Sequence, residues 1–302
     1  MAFAAELETA HAKVAETAGA SVVRIGRGPG RGAGIVVGEG QVLTNAHNLR
    51  GAEVTVTFAD GRSTKGTVSA EDHDGDLAVV AVDTEGVPAL AWSERDVVLG
   101  SPVFAVTVPA GSGPRVTFGT VSGAGRAFRG PGGRLIGGGI EHTAPLARGS
   151  SGGPIVDAEG RLLGVNTHRL GEGFYLAVPA DAELRRRVDA LAKGEAPRRR
   201  YLGVALAPAR AARRLRASVG LPEADGLLVT GVDEDSPAGR AGVRRGDLIV
   251  AAGGHDVRQA DDLFAALDGL ADDAPLALRL LRGADEVQLH VSFGDGGTEG
   301  SA

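Results

Sequence analysis

From residue 20 onward the apolar residues of this chain fall into short runs that read as strands. Ser21–Ile25, Gly34–Val37, Gln41–Thr44, Glu53–Phe58, Gly66–Ala70 and Leu77–Val82 form a first group. Val103–Val108, Arg115–Ser122, Gly139–Thr143, Pro154–Asp157, Arg161–Asn166 and Phe174–Val178 form a second. The runs are rich in Val, Ile and Thr and are separated by Gly, Asp or Asn turns, the pattern of strands joined by tight connections. Six and six predict a mainly β domain of two six-stranded antiparallel β-barrels, with a cleft where they meet. The 48 glycines follow no collagen-like period and suit a turn-rich all-β architecture. Because only 4% of residues are aromatic, the cores must be built from Val, Leu, Ile and Ala.

The rest of the chain divides around these strands. Phe3, Leu7, Ala10 and Val14 fall at i, i+4, i+7 and i+11, so residues 1–19 predict an amphipathic helix. That segment carries Glu6, Glu8, Lys13 and Glu16 and lacks the apolar run of a signal peptide. No run of about 18 apolar residues exists, so no membrane-spanning helix is expected. The expected compartment is the cytoplasm, or the periplasm or another extracytoplasmic space if an export segment belongs in front. Asp181 can cap a helix whose apolar face is Leu184, Val188 and Leu191, and Gly194 ends it. Residues 20–193 thus form the barrel domain, and residues 194–200 a charged linker.

Several function classes drop out. A net charge of −6 gives no reason to expect nucleic acid as a partner, and Arg185–Arg187 and Arg198–Arg200 read as solvated helix and linker charges. With no cysteine there are no disulfides, thiolate metal sites or cysteine nucleophiles. Glu71–Asp76 has the wrong ligand spacing for a calcium loop, so Asp72 and Asp74 read as a solvated turn. No histidine pair has metal-ligand spacing, and neither metal nor cofactor is expected.

Residues 149–154 read Gly-Ser-Ser-Gly-Gly-Pro, flanked by strand residues Ile155, Val156 and Leu162–Val165. A floppy linker does not sit directly against a hydrophobic strand pair, so these glycines serve a tight turn that approaches something closely. Upstream, Thr44-Asn45-Ala46-His47 closes one strand and Asp76-Leu77-Ala78-Val79 opens another. Histidine, aspartate and a glycine-framed serine follow the chain order of chymotrypsin-fold serine proteases. A second module begins at Tyr201. It contains Tyr201-Leu202-Gly203-Val204, Ser236-Pro237-Ala238-Gly239-Arg240-Ala241-Gly242-Val243, Gly246-Asp247-Leu248-Ile249, a helical run Ala260–Leu270 and strands Leu276–Leu281 and Glu286–Phe293. It resembles a PDZ domain (α+β) over residues 201–293, and residues 294–302 read as a disordered tail.

Barrels followed by this module resemble the HtrA (Deg) serine proteases over residues 18–293. The matching segments are Gly32–Val37, Leu43–His47, Asp76–Val79, Thr143–Pro154 and the PDZ signatures. Ser150 stands where the family usually has Asn, and Thr143 where it often has Asp. The resemblance implies a Ser151 nucleophile, a His47 general base and an Asp76 that orients the imidazole, with the oxyanion hole at the N–H groups of Gly149 and Ser151. It places the specificity pocket at Pro145, Leu146, Asn166, Thr167 and His168, with no carboxylate at its base, so cleavage is expected after small or medium aliphatic residues. It places peptide binding at Tyr201, Leu202, Gly203, Val204, Leu263 and Leu267. The glycine-rich stretch Ala124–Gly139 reads as a mobile loop near the site.

The implied function is ATP-independent endoproteolysis of unfolded or damaged proteins in quality control, with the PDZ domain holding peptide C-termini or extended segments. A homotrimer built through the protease domain is implied too. The alternatives are a PDZ-based chaperone or regulatory scaffold with a latent protease domain, and an acyl hydrolase of small esters.

Overall fold

The computed structural model describes residues 2–27, 32–109, 113–129, 135–171, 173–197, 200–207, 209–271 and 273–293. The chain divides into two compact units, Met1–Pro197 and Arg198–Ala302.

The first unit opens with helix α1 (Ala2–Thr17) and carries two closed barrels. The strands of the first are β1 (Val22–Ile25), β2 (Gly32–Gly38), β3 (Gln41–Thr44), β4 (Glu53–Thr57), β5 (Ser63–Asp72) and β6 (Leu77–Ala81). Its hydrogen-bonded order is β1-β2-β3-β6-β5-β4. The second barrel comprises β7 (Pro102–Thr107), β8 (Arg115–Arg129), β9 (Leu135–His142), β10 (Pro154–Val156), β11 (Leu162–Gly171) and β12 (Phe174–Pro179), ordered β10-β11-β12-β9-β8-β7. Helix α2 (Ala182–Ala192) follows.

Register explains why the middles of β2, β3 and β6 are apolar rather than alternating. Val36 pairs with Val42 and Val42 with Val80, while in the adjacent row Ile35 pairs with Leu43 and Leu43 with Val79. The first row packs with Val23, Ile25 and Phe58. The second joins a core that runs through both barrels, α1 and α2, so both faces of these strands are buried. On α1, Val14 is buried and the His11 ring meets Phe104 edge-on at 5.0 Å. The side chain of Phe3 lies outside the described residues. On α2, Asp181 accepts the Leu184 N–H at 2.8 Å, and Leu184, Val188 and Leu191 face the core.

The stretch expected as a loop at Ala124–Gly139 is, in its described part, the end of a β8–β9 hairpin. Phe128 pairs with Ile136, and both are buried in the core, which anchors the hairpin. Gly139 makes room for it: a Cβ there would lie 2.8 Å from the Phe128 ring. Residues 130–134 of this stretch lie outside the described residues, as does the tail expected at 294–302.

The second unit is a sheet ordered β13-β14-β15-β17-β18, with β16 paired to β15. Its strands are β13 (Val204–Ala207), β14 (Leu227–Val232), β15 (Leu248–Ala252), β16 (His255–Asp256), β17 (Leu276–Arg282) and β18 (Asp285–Val291). Its helices are α3 (Ala209–Ser218), α4 (Pro237–Arg240) and α5 (Ala260–Asp268). It has its own core around Leu227, Ile249, Leu276 and Leu280. Arg200, expected as a solvated linker charge, instead donates to the Leu267 and Ala271 carbonyls at 2.8 Å each, so it caps the C-terminal end of α5. Arg198 and Arg199 lie outside the described residues.

Candidate active site

His47 sits in the 3-10 turn Ala46–Asn48 directly after β3. Asp76 ends the turn between β5 and β6, and Asp72 builds that turn. Asp72 Oδ1 accepts the N–H groups of Asp74 and Gly75 at 3.1 and 2.9 Å, and Oδ2 pairs with Arg187 of α2. Asp72 is therefore buried and bonded, a correction to its expected place in a solvated turn, and Arg187 is correspondingly no free surface charge. A Cβ on Gly75 would lie 2.0 Å from the Arg187 guanidinium, so a side chain there would displace the Arg187–Asp72 pair. The turn delivers Asp76 at φ +53°, the one left-handed non-glycine among the described residues.

The Asp76 carboxylate is buried and fully engaged. His47 Nδ1 lies 2.9 Å from Oδ1 and 2.8 Å from Oδ2, and the His47 backbone N–H donates to Oδ1 at 3.1 Å. Thr167 Oγ1 donates to Oδ2 at 2.7 Å, and Asn45 Nδ2 donates to the Asp76 carbonyl at 2.8 Å. With the carboxylate accepting at Nδ1, the proton of the neutral imidazole sits there, which leaves Nε2 as a free lone pair. The His47 side chain is about one-third exposed.

Ser151 comes from the other barrel. Its carbonyl accepts the Ala33 N–H at 2.8 Å and Asn48 Nδ2 at 2.9 Å, and Asn48 Nδ2 also reaches Thr44 Oγ1 at 3.0 Å. Asn48, which sequence reasoning missed, thus ties the turn that carries His47 to the residue it must serve. Its only sequence signal is an amide directly after the histidine. Gly152, at φ +87°, is where the barrels touch: a Cβ there would lie 2.2 Å from the Ala33 carbonyl. Gly149 is also left-handed, at φ +83°. The N–H groups of Gly149 and Ser151 donate to no acceptor among the described residues. The two serines differ sharply. Ser150 is 3% exposed and its hydroxyl donates to the Ala147 carbonyl at 2.8 Å, whereas Ser151 Oγ reaches the cleft and donates to the Thr167 carbonyl at 3.3 Å. Among the described residues, the Ser151 hydroxyl is bonded to that carbonyl and not to His47.

The residues expected to form the specificity pocket do not all face one space. Pro145 and His168 are exposed, and Leu146 is partly buried. The Thr167 side chain turns inward to Asp76. Asn166 is buried, with Nδ2 donating to the Gly153 carbonyl at 3.0 Å and Oδ1 2.9 Å from His142 Nε2. These two side chains are corrections to the expected pocket wall: both are buried and hold the site together, and of Thr167 it is the carbonyl that meets the Ser151 hydroxyl. Behind them His142 stacks on Tyr175, its ring held by Asn166, and burial pushes its pKa down to about 4. Among the described residues no three metal-ligating side chains converge.

In the second unit, Gly203 sits at φ +81°, and a Cβ there would lie 2.0 Å from that of Ser236. The N–H groups of Leu202 and Gly203 have no acceptor among the described residues, and β13, which starts at Val204, is an edge strand. Tyr201 is 40% exposed beside this turn. Leu263 and Leu267 are corrections: both pack into the core beneath α5, because the i, i+4 face they share is the one turned to the sheet. Leu202 is likewise buried, so it offers its backbone.

Comparison with known proteins gives this geometry its relatives. Residues 32–165 match the trypsin-like peptidase domain model and residues 228–282 the PDZ domain model. The chain is 34% identical over 278 residues to the putative serine protease HhoA of Synechocystis, covering 87% of this chain and 70% of that one. It is 30% identical over 272 residues to a probable periplasmic serine endoprotease, DegP-like, of Halomonas elongata, of whose length it spans 56%. The solved HtrA-type protease AlgW with decapeptide superposes with a TM-score of 0.71 at 25% identity, covering 93% of this chain and 97% of that one. Among the described residues no helix is long and apolar enough to cross a membrane. The chain belongs to the HtrA (Deg) family of serine proteases.

Proposed function

We propose that this chain is an ATP-independent serine endopeptidase that cleaves unfolded or damaged polypeptides after small or medium aliphatic residues. The observation that carries the proposal is the buried Asp76 carboxylate, which takes His47 Nδ1 at 2.8 Å and Thr167 Oγ1 at 2.7 Å beside Ser151. In this reading Ser151 Oγ leaves the Thr167 carbonyl, bonds to His47 Nε2 and attacks the scissile carbonyl carbon while its proton passes to Nε2. The oxyanion forms against the N–H groups of Gly149 and Ser151, where one such donor contributes about 2.7–4 kcal/mol in a comparable enzyme. His47 then gives its proton to the leaving amine, and Asp76 stabilises the imidazolium in between. Water completes the cycle through the same base and releases the acyl group.

The PDZ domain serves extended peptides in this reading. A C-terminal carboxylate meets the N–H groups of Leu202 and Gly203, which have no acceptor among the described residues, and the peptide adds along the open edge of β13. The proposed assembly is a homotrimer through the protease domain, as family resemblance implies; sedimentation of the intact chain reads this, and a monomer at micromolar concentration removes it. The proposed setting is extracytoplasmic, the one named for the DegP-like relatives, and cell fractionation is its check.

Casein degradation tests the chemistry. Ser151→Ala abolishes it and leaves the fold intact, whereas Ser150→Ala, which loses only a bond to the Ala147 carbonyl, keeps most of it. Equal rates for wild type and Ser151→Ala would leave the PDZ-based scaffold as the better reading.

A further inference from the structure

Arg169 lies two residues beyond Thr167 on β11, opposite Tyr175 on β12. Its Nη2 donates to the Leu146 carbonyl at 3.0 Å and to the Tyr175 hydroxyl at 3.1 Å. Its guanidinium carbon lies 5.2 Å from the centroid of the Tyr175 ring, which stacks in turn on His142 at 5.6 Å. Leu146 stands five residues before Ser151, and the Thr167 carbonyl is the acceptor for Ser151 Oγ. The segment before the nucleophile and the edge of β11 are therefore the two walls flanking Ser151, and one side chain spans them. Among the described residues no carboxylate pairs with Arg169, so its charge is not cancelled within the protein.

We propose that Arg169 is the specificity-determining residue of the primary pocket; this rests on the protease reading above. The guanidinium, seated between Leu146 and Tyr175, fills the depth that a long substrate side chain would need. It also presents a positive charge to whatever enters. A lysine or arginine side chain would be brought against this like charge, which is repulsive. Short aliphatic side chains meet only Leu146 and the methylene stem of Arg169, an apolar contact. The bonds to Leu146 and Tyr175 hold the guanidinium in this position, so the restriction is built in before substrate arrives.

Peptides that differ only at the residue before the scissile bond (Ala, Val, Leu, Phe, Lys or Glu) test this with the intact chain. Wild type is compared with Arg169→Ala, Arg169→Lys, Arg169→Glu and Ser151→Ala. In wild type, kcat/KM for the Val peptide should exceed that for the Lys peptide by at least about tenfold, the scale on which pockets discriminate. Arg169→Glu should raise the Lys-to-Val ratio by at least about tenfold, because the pocket then holds the carboxylate that a cationic side chain requires. Arg169→Ala should raise the Phe-to-Val and Leu-to-Val ratios, and Arg169→Lys should still reject the Lys peptide. Thermal unfolding of each variant reports the fold, and the Lys and Ala variants decide the question should the Glu variant fail to fold. Ratios that stay at their wild-type values, or a fall shared equally by all six peptides, overturn the inference and leave Arg169 a strut. Equal rates in wild type and Ser151→Ala instead remove the protease reading, and this inference with it.

Discussion

His142 has no exposed surface and lies between Tyr175 and Asn166, with Nδ1 lacking a hydrogen-bond partner among the described residues. A neutral ring fits: Nε2–H donates to the Asn166 amide oxygen, and the bare Nδ1 lone pair tolerates burial better than a charged N–H would. Burial pushes its pKa from 6.5 to about 4, so the unfolded chain binds this proton more readily than the folded one. Stability from this group is complete above pH 6.5 and drains away as pH falls toward about 4. At about 1.4 kcal/mol per pKa unit, the loss across that window is about 3 kcal/mol. Because Asn166 also bonds Gly153, the protease site should be the first region to feel acid. Urea unfolding of wild type and His142→Gln at a series of pH values checks this. The glutamine variant should show a shallower decline between pH 7 and 4.5, and parallel curves would sink the assignment.

At the level of elements, β2, β3 and β6 were legible because both of their faces are buried, which makes their sequences short apolar runs, whereas β4 was legible from its alternating Glu53-Val54-Thr55-Val56-Thr57 pattern. Ile35–Val37 and Leu77–Val80 contain no polar position, and glycine or aspartate stands directly before each of them. The α2 helix was legible from Asp181 and the Leu184, Val188, Leu191 spacing. Other elements were hidden for physical reasons. Helix α3 carries Arg210, Arg213, Arg214 and Arg216, so its sequence lacks an apolar stripe. What packs it is Ala212 together with the buried stem of Arg216, whose guanidinium reaches the Pro222 and Gly283 carbonyls at 3.2 and 3.3 Å. The β8–β9 hairpin was hidden by glycines that read as flexibility, one of which, Gly139, serves instead as clearance for Phe128. The site divides in the same way. Motif spacing marks His47, Asp76 and Ser151, whereas Asn48, Arg169 and the inward turn of Thr167 depend on contacts between residues up to 103 positions apart, which no local pattern records.

At the scale of the molecule, the two units have separate cores, and each core closes on its own residues. The second unit also binds its own leading arginine, since Arg200 holds the end of α5. A fragment covering Arg198–Phe293 should therefore fold alone, with a cooperative thermal transition of its own. Its ligand follows from the turn at Gly203. Two N–H groups without acceptors among the described residues, at Leu202 and Gly203, stand at the start of an edge strand, and an anion there gains charge-assisted hydrogen bonds of about 1.5–3 kcal/mol. Peptides with a free, apolar C-terminus should bind the fragment about ten- to a hundredfold more tightly than the same peptides amidated, that factor being the charged bond converted to affinity. Gly203→Ala supplies the structural arm. Its Cβ meets Ser236 at 2.0 Å and its φ of +81° is unfavourable for alanine, so the turn must shift and the preference for a free carboxylate should shrink. Titration of the fragment and of Gly203→Ala with both peptide forms reads both effects. Equal affinity for free and amidated peptides in the wild-type fragment would mean that the edge of β13 binds internal segments, with the Leu202–Val204 turn serving the fold alone.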